Sequence, residues 1–364
     1  MSGIHLFVPM LHRRDAVGEH TLALRDRLVA SGFHSRIYSE RPDPVTADQT
    51  RPYLGYEAEA EDGDVLVYQF ATESAIAGWL TGRREPVVLN YHSVTPPAFF
   101  GAWNNGIARL QVGALLELDQ LAPRAALGIA VSRFDEVELQ AAGCRSTVVI
   151  PVANVAVPPV DPDPVALERL SARGPDRGHR WLSVGRLAPN KAHHQTIAAL
   201  FVARATTDPD AHLVVVGPPS EPAYARALRR YVAMLGLDGA VAFVTGLSPA
   251  ELASYYRWAD VLVMLSDHEG FGVPLVEAMG QGLPVVAHDT GAVAEVLDGS
   301  GVLVGRKDPR RVAGEVARLL ADEGEKERLV AAGQARFAAL GLGRSGDLLV
   351  EALRSVSGRV GAGR

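Results

Sequence analysis

A single cysteine, Cys144, stands in a chain of 364 residues. That excludes an intrachain disulfide and any cysteine-rich metal site, and it fits a reducing compartment. No apolar run approaches the ~18–20 residues that a bilayer-spanning helix needs. Residues 1–8 lack a basic leader region and hold too short an apolar stretch for a signal peptide, so they read as a first buried strand. Positive charge is not in excess either. The chain carries 36 Lys+Arg against 42 Asp+Glu, a formal net charge of −6, the wrong sign for a protein whose main partner is a nucleic-acid backbone. The expectation is a soluble, cytoplasmic protein with no nucleic-acid partner and no integral membrane segment.

What the sequence does contain is alternation. Short β-branched apolar runs at 4–8, 34–38, 64–68, 86–91, 127–131 and 147–151 are separated by longer amphipathic segments, including 19–31 and 108–121. The pattern restarts at 181–184, 212–216, 241–245, 261–265, 284–287 and 301–304. This is the signature of α/β layering around parallel sheets. Between the halves, residues 151–164 hold five prolines, which no helix interior or central strand tolerates, so the stretch reads as an extended linker. The expected division is 1–160, 161–342 and a last helix within 343–364, centred on 347–357, with the Gly- and Arg-rich tail 354–364 frayed. Two doubly wound, Rossmann-like domains in tandem imply a cleft faced by the carboxyl ends of their strands, where such sheets bind ligands.

The informative motifs lie where that rule puts them. Directly after the strand 261–265 runs Ser266–Asp267–His268–Glu269–Gly270–Phe271–Gly272–Val273–Pro274–Leu275–Val276–Glu277. Pro274 suits the first position of a helix, and its two preceding glycines let the backbone pass close to a ligand. The amides of Val273, Leu275 and Val276 would then point out of the helix start toward an anion such as a phosphate. A carboxylate beside a phosphate is repulsive unless it faces a neutral hydroxyl. Glu277 is therefore assigned to a ribose diol and Glu269 to a transferred sugar, against the plainer reading of a loop and a helix-surface glutamate.

Arg186 and Lys191, five residues apart on the loop after strand 181–184, can straddle a diphosphate with a guanidinium fork and a point charge; the plainer reading is two surface cations. His92 follows strand 86–91 and would stand at the cleft mouth, unless it is simply packed. Gly18, at the start of the first helix after Asp15, could approach a phosphate or merely open that helix. The pair His193–His194 points about 100° apart on a helix with no third ligand at metal spacing, so it is set aside. Asp161 and Asp163 read as turn residues, and Glu295 as structural.

Glu269 and Glu277, with seven residues between them in the setting Glu–Gly–Phe–Gly–Val–Pro–Leu–Val–Glu–Ala–Met, resemble the E-x7-E signature of retaining GT-B glycosyltransferases of family 4, the glycosyl transferases group 1. Gly185–Arg186 with Lys191, and Gly282–Leu283–Pro284–Val285–Val286 followed by Gly291, resemble the same pattern. The likeness is close over about 180–320 and looser before it, through Tyr91–His92–Ser93–Val94–Thr95–Pro96 and Val131–Ser132–Arg133–Phe134.

The resemblance implies a GT-B fold, in which two Rossmann-like domains face each other across a cleft. It implies a nucleotide-sugar donor held chiefly by the second domain, with no cofactor and no metal. By resemblance Arg186 and Lys191 are diphosphate ligands, Glu277 the ribose ligand, Glu269 the sugar-contacting acid, and His92 a histidine near the donor sugar. The amides at Phe271 and Gly272 would hold donor-sugar hydroxyls, Gly270 would be a further donor-binding residue, and Gly18 would meet the phosphates, although the family's glycine pair is here Val17–Gly18. The last helix would return to the first domain.

The activity expected is transfer of a hexose-type sugar from a UDP, GDP or ADP donor to a hydroxyl of a saccharide, cyclitol or other small acceptor. No first-domain carboxylate offers itself for a double displacement, so a front-face substitution is the expected route. The acceptor pocket would come from loops 9–17, 42–61 and 95–106, where Phe99, Phe100 and Trp103 either stack on a sugar or pack. Alternatives are an epimerase or phosphorylase of the same fold, or a non-catalytic nucleotide-sugar binder. A nicotinamide dehydrogenase is disfavoured, because the first strand is not followed by Gly-x-Gly-x-x-Gly.

Overall fold

The computed structural model describes residues 3–12, 16–41, 43–152, 159–173 and 177–362. The chain forms two compact units, one of Met1–Ala98, Gly106–Asn154 and Gly341–Arg364, the other of Phe99–Asn105 and Val155–Leu340. Asp15, and residues 153–158 of the proline-rich stretch, lie outside the described residues.

The first unit is built on seven strands: β1 (Ile4–Met10), β2 (Ile37–Arg41), β3 (Thr50–Pro52), β4 (Val65–Phe70), β5 (Val87–Tyr91), β6 (Leu127–Ala130) and β7 (Thr147–Val149). All pair in parallel in the order β3-β2-β1-β4-β5-β6-β7. Helices α1 (Ala16–Ala30), α2 (Ala75–Leu80), α3 (Asn105–Leu121) and α4 (Arg133–Ala141) make the crossovers. Because side chains alternate across a strand, β1 feeds two cores. Ile4, Leu6 and Val8 join Val65, Val67 and Ile129 on one face. Phe7 joins Tyr38, Tyr68, Phe70 and Tyr91 on the other. Strand order reverses between β1 and β4, and the crevice at such a switch point is where open α/β sheets take their ligands.

Two segments differ from the sequence reading. The stretch 42–61 is not simply a loop: β3 pairs with β2, and Tyr56 is fully buried. The last helix of the chain, Leu342–Ala362, runs through the tail expected to fray, and Leu349, Val350, Leu353 and Val356 are buried in the core that also holds α1 residues Leu24 and Leu28. Burial of one apolar stripe outweighs the low helix propensity of Gly346 and Gly358.

The second unit repeats the plan. Strands β8 (Arg180–Val184), β9 (His212–Val216), β10 (Val241–Val244), β11 (Val261–Met264), β12 (Val285–His288) and β13 (Val302–Val304) lie in the order β10-β9-β8-β11-β12-β13. Before them comes α5 (Pro164–Arg173), and between and after them come α6 (His193–Thr206), α7 (Pro222–Met234), α8 (Pro249–Trp258), α9 (Val273–Gln281), α10 (Val293–Leu297), α11 (Pro309–Ala321) and α12 (Glu323–Ala339), which makes the final helix α13. Asp163, read as a turn residue, caps α5 by accepting from the Val165 and Ala166 amides at 2.8 and 3.1 Å. The switch point here falls between β8 and β11, the two strands whose following loops carry the Arg–Lys and Glu–Glu motifs.

Candidate active site

The loop after β8 is held rigid from beneath. His193, buried at the start of α6, places Nε2 3.2 and 3.1 Å from the carbonyl oxygens of Gly185 and Arg186, and Nδ1 3.1 Å from Ser183 Oγ. An imidazole protonated at Nε2 satisfies all three contacts, donating to the carbonyls and accepting from the hydroxyl. Burial brings its pKa down to about 4, so it is neutral. The residue set aside as a metal ligand is thus a clamp on the Gly185–Arg186 turn. The Arg186 side chain itself is exposed, and no ion pair holds its guanidinium among the described residues.

Lysine is scarce in this arginine-rich chain, occurring only as Lys191, Lys307 and Lys326, yet two of the three meet the loop after β11. Lys191 Nζ lies 2.7 Å from Glu269 Oε1, with both side chains largely buried. Lys307 pairs with Asp267 and also donates to the Leu265 carbonyl at 3.3 Å. The loop is bolted to the segment after β12. The Ala292 amide donates to Glu269 O at 2.9 Å, and Thr290 Oγ1 to Asp267 O at 2.9 Å. At Gly291, with φ 54°, an added Cβ would lie 2.1 Å from Glu269 O, so the approach requires glycine. His268, which the motif reading passed over, is buried here, and burial lowers its pKa against the pull of Glu269.

Helix α9 starts one residue earlier than expected. Gly272, at φ 90°, is the capping residue, and Pro274 takes the second helical position. This changes which amides are open. The Leu275 N–H donates back to Gly272 O at 2.9 Å, and Val276, fourth in the helix, belongs to the regular ladder. Of the three helix-start amides expected to point outward, only Val273 is open, joined by Phe271 and Gly272. These three donate to no acceptor among the described residues, and no side chain caps the helix. Unpaired N–H groups and the helix dipole make this start attractive to an anion. Four residues further on, Glu277 accepts a hydrogen bond from Tyr256 OH at 2.7 Å, and burial raises its pKa. Tyr256, on α8, has no sequence motif to mark it.

In the first unit, His92 follows β5 and is held by a buried amide network. Its Nε2 lies 2.7 Å from Gln69 Oε1; Asn90 Nδ2 donates to the same oxygen at 3.0 Å and lies 2.8 Å from His20 Nε2. The two imidazoles meet edge to face at 5.1 Å. Burial and the neighbouring His20 hold the His92 pKa well below the usual histidine value. With Nε2–H donated to Gln69, the neutral ring presents Nδ1 as an acceptor. Gly18 is the third residue of α1, and a Cβ there would sit 1.8 Å from the His12 carbonyl oxygen. That backbone contact accounts for the glycine without a ligand. Glu295, read as structural, receives Arg336 Nη2 at its carbonyl at 2.8 Å.

Residues 172–336 match the family described as glycosyl transferases group 1. A D-inositol 3-phosphate glycosyltransferase of Kineococcus radiotolerans is 29% identical over 91% of the chain and 81% of its own length. Its namesake from Acidothermus cellulolyticus is 40% identical over 41% of the chain and 35% of that protein. The chain thus spans about a third of the length of the latter, and 45% of the Thermomonospora curvata protein of the same name. Among solved structures, sucrose-phosphate synthase from Thermosynechococcus elongatus superposes with a TM-score of 0.76 at 21% identity, covering 98% of this chain and 100% of that one. Anabaena Alr3699/HepE in complex with UDP-glucose gives 0.76 at 19%, covering 97% and 99%. The shared architecture is α/β of the GT-B type.

Proposed function

We propose that the protein, whose residues 172–336 match the family described as glycosyl transferases group 1, is a retaining, metal-independent glycosyltransferase that moves a hexose-type sugar from a nucleoside diphosphate to an acceptor hydroxyl. The observation that carries this reading is the ion pair of Lys191 and Glu269 beside the uncapped start of α9, at the point where strand order reverses. A cation, open amides and a carboxylate converge there with little exposure to water. That set suits a ligand with an anionic end and a hydroxyl-rich end.

In this mechanism the diphosphate takes hydrogen bonds from the amides of Phe271, Gly272 and Val273 and charge from Arg186 and Lys191. Glu277, oriented by Tyr256, accepts from the ribose diol, and Glu269 from a hydroxyl of the transferred sugar. As the bond between the anomeric carbon and the phosphate oxygen breaks, negative charge grows on the leaving group, where fixed cations and amides are most effective. The acceptor oxygen bonds to the same face of that carbon, and its proton passes to the departing phosphate oxygen. The relatives' printed name favours a cyclitol among the acceptors.

A thermal-shift panel of UDP, GDP and ADP with their glucose conjugates, run in EDTA, tests the reading. One base should raise the melting temperature by several degrees, and the anomeric proton of the product should keep the donor's configuration by NMR. Inversion, or product only after manganese is added, overturns it.

A further inference from the structure

The segment Phe99–Asn105 belongs to the second unit, and the mechanism above leaves it unused. Its backbone closes tightly, because the Trp103 and Asn104 amides both donate to Phe100 O, at 2.8 and 2.7 Å. With the Phe100 ring buried, this turn presents two adjacent side chains to the start of α7. Trp103 meets Tyr224 edge to face with the ring centroids 5.1 Å apart, and Asn104 Nδ2 donates to Glu221 Oε2 at 2.9 Å. Tyr224 and Glu221 are themselves buried.

Both anchor points lead to the turn that carries Arg186. Glu221 caps α7, its Oε1 accepting from the Ala223 amide at 3.1 Å, and its own amide donates to Leu187 O at 3.3 Å. The Leu187 amide donates in turn to Pro218 O at 2.8 Å. Little slack separates these two loops, since a Cβ on Gly217 would lie 2.1 Å from Gly185 O. Tyr224 OH lies 2.9 Å from Nδ1 of His194, the neighbour of the His193 that clamps the Gly185 and Arg186 carbonyls. The Arg186 side chain is exposed, so its aim follows its backbone. A carboxylate as buried as that of Glu221 needs its donors. Without Asn104, Oε2 turns toward water, and the backbone that ties Glu221 to Leu187 shifts with it.

We propose that Trp103 and Asn104 are positioning residues: through Tyr224 and Glu221 they fix the Gly185–Leu187 turn, and with it the aim of Arg186. The functional consequence rests on the transferase reading, in which Arg186 is a diphosphate ligand; the hold on the turn does not. Contact chains of this kind carry a function only where coupling between their ends is measured.

The test pairs hydrogen exchange at amide resolution with calorimetric titration, both on the intact protein. Asn104→Asp keeps the side-chain shape, removes the donor and faces Glu221 with a like charge. Trp103→Ala removes the ring, and Trp103→Phe puts an aromatic back on Tyr224. Without nucleotide, the Leu187 and Ala188 amides should exchange about tenfold faster or more in Asn104→Asp and Trp103→Ala. The amides of β12 should keep the wild-type rate, and Trp103→Phe should recover it at Leu187. Whichever of UDP, GDP and ADP binds tightest should bind about fivefold weaker in both variants, and less than twofold weaker when they are made in an Arg186→Ala background. Unchanged exchange at Leu187, exchange raised through the whole second unit and not recovered by Trp103→Phe, or the same loss of affinity with and without Arg186 overturns the proposal. Faster exchange at the turn of a protein that binds none of the three nucleotides contradicts the transferase reading and supports the hold on the turn. Nucleotide binding with an unaltered turn contradicts the positioning role alone.

Discussion

Replacing Lys191 by alanine separates the stabilising role of the Lys191–Glu269 pair from its chemical one. Removing one partner of a buried ion pair costs roughly 3–5 kcal/mol, because the other charge is left behind without compensation. Lys191 remains 18% exposed and Glu269 6%, so water screens part of that cost and about 2–3 kcal/mol is expected. For a unit of this size each kcal/mol lowers the melting temperature by about 2–4 °C, which puts the fall at roughly 5–10 °C. Adding Glu269→Gln removes the stranded charge, so the double variant should recover most of the loss. A double-mutant cycle by urea unfolding should therefore give a coupling of about 1.5 kcal/mol or more. Catalysis should behave differently. Lys191→Ala is expected to lower kcat by about 10²–10³-fold with a much smaller change in donor KM, and Glu269→Gln should not restore it. Strict additivity in the cycle, or a pure KM effect, would refute the reasoning.

Other consequences are open to measurement. His20 in the first unit and His193 in the second are buried neutral with pKa values brought down to about 4; the unfolded chain therefore binds more protons between about pH 6.5 and 4. Their contribution is complete above pH 6.5 and is lost as pH falls toward 4, by about 1.4 kcal/mol per unit for each histidine, which urea titrations at pH 7, 6 and 5 would show; stability flat over that range contradicts it. Tyr256→Phe takes the hydroxyl from the buried Glu277 and should weaken nucleoside diphosphate binding several-fold in a titration that leaves binding of the free sugar unchanged. Gly18→Ala forces a methyl onto the His12 carbonyl and should lower stability by about 1–3 kcal/mol in thermal unfolding, whether or not a phosphate ever reaches that helix.

Much of the candidate site can be read from the sequence because its parts are local. A strand, a glycine-flanked loop and an N-terminal proline sit within a dozen residues, and Arg186 and Lys191 share one loop. The residues that position those groups come from elsewhere. Tyr256 reaches Glu277 from α8, and Gln69 and Asn90 orient His92 from the interiors of neighbouring strands β4 and β5. No spacing rule links them, since their proximity is a product of strand order. Backbone details escape for another reason. Whether Leu275 or Val273 keeps a free amide depends on a one-residue difference in where α9 begins, finer than propensity resolves. The helical course of 354–362 is hidden because three glycines and three arginines in the tail 354–364 outweigh, in sequence, a buried apolar stripe whose partner, α1, lies more than 300 residues away.

The most direct test of a metal-free diphosphate site at the β8–β11 switch point is a crystal grown in EDTA and soaked with whichever nucleoside diphosphate gives the largest thermal shift. Phosphate oxygens should lie against the Phe271, Gly272 and Val273 amides, with Arg186 and Lys191 closing on them and the ribose at Glu277. Phosphates bound away from the start of α9, or ordered only when a divalent ion is supplied, would contradict it.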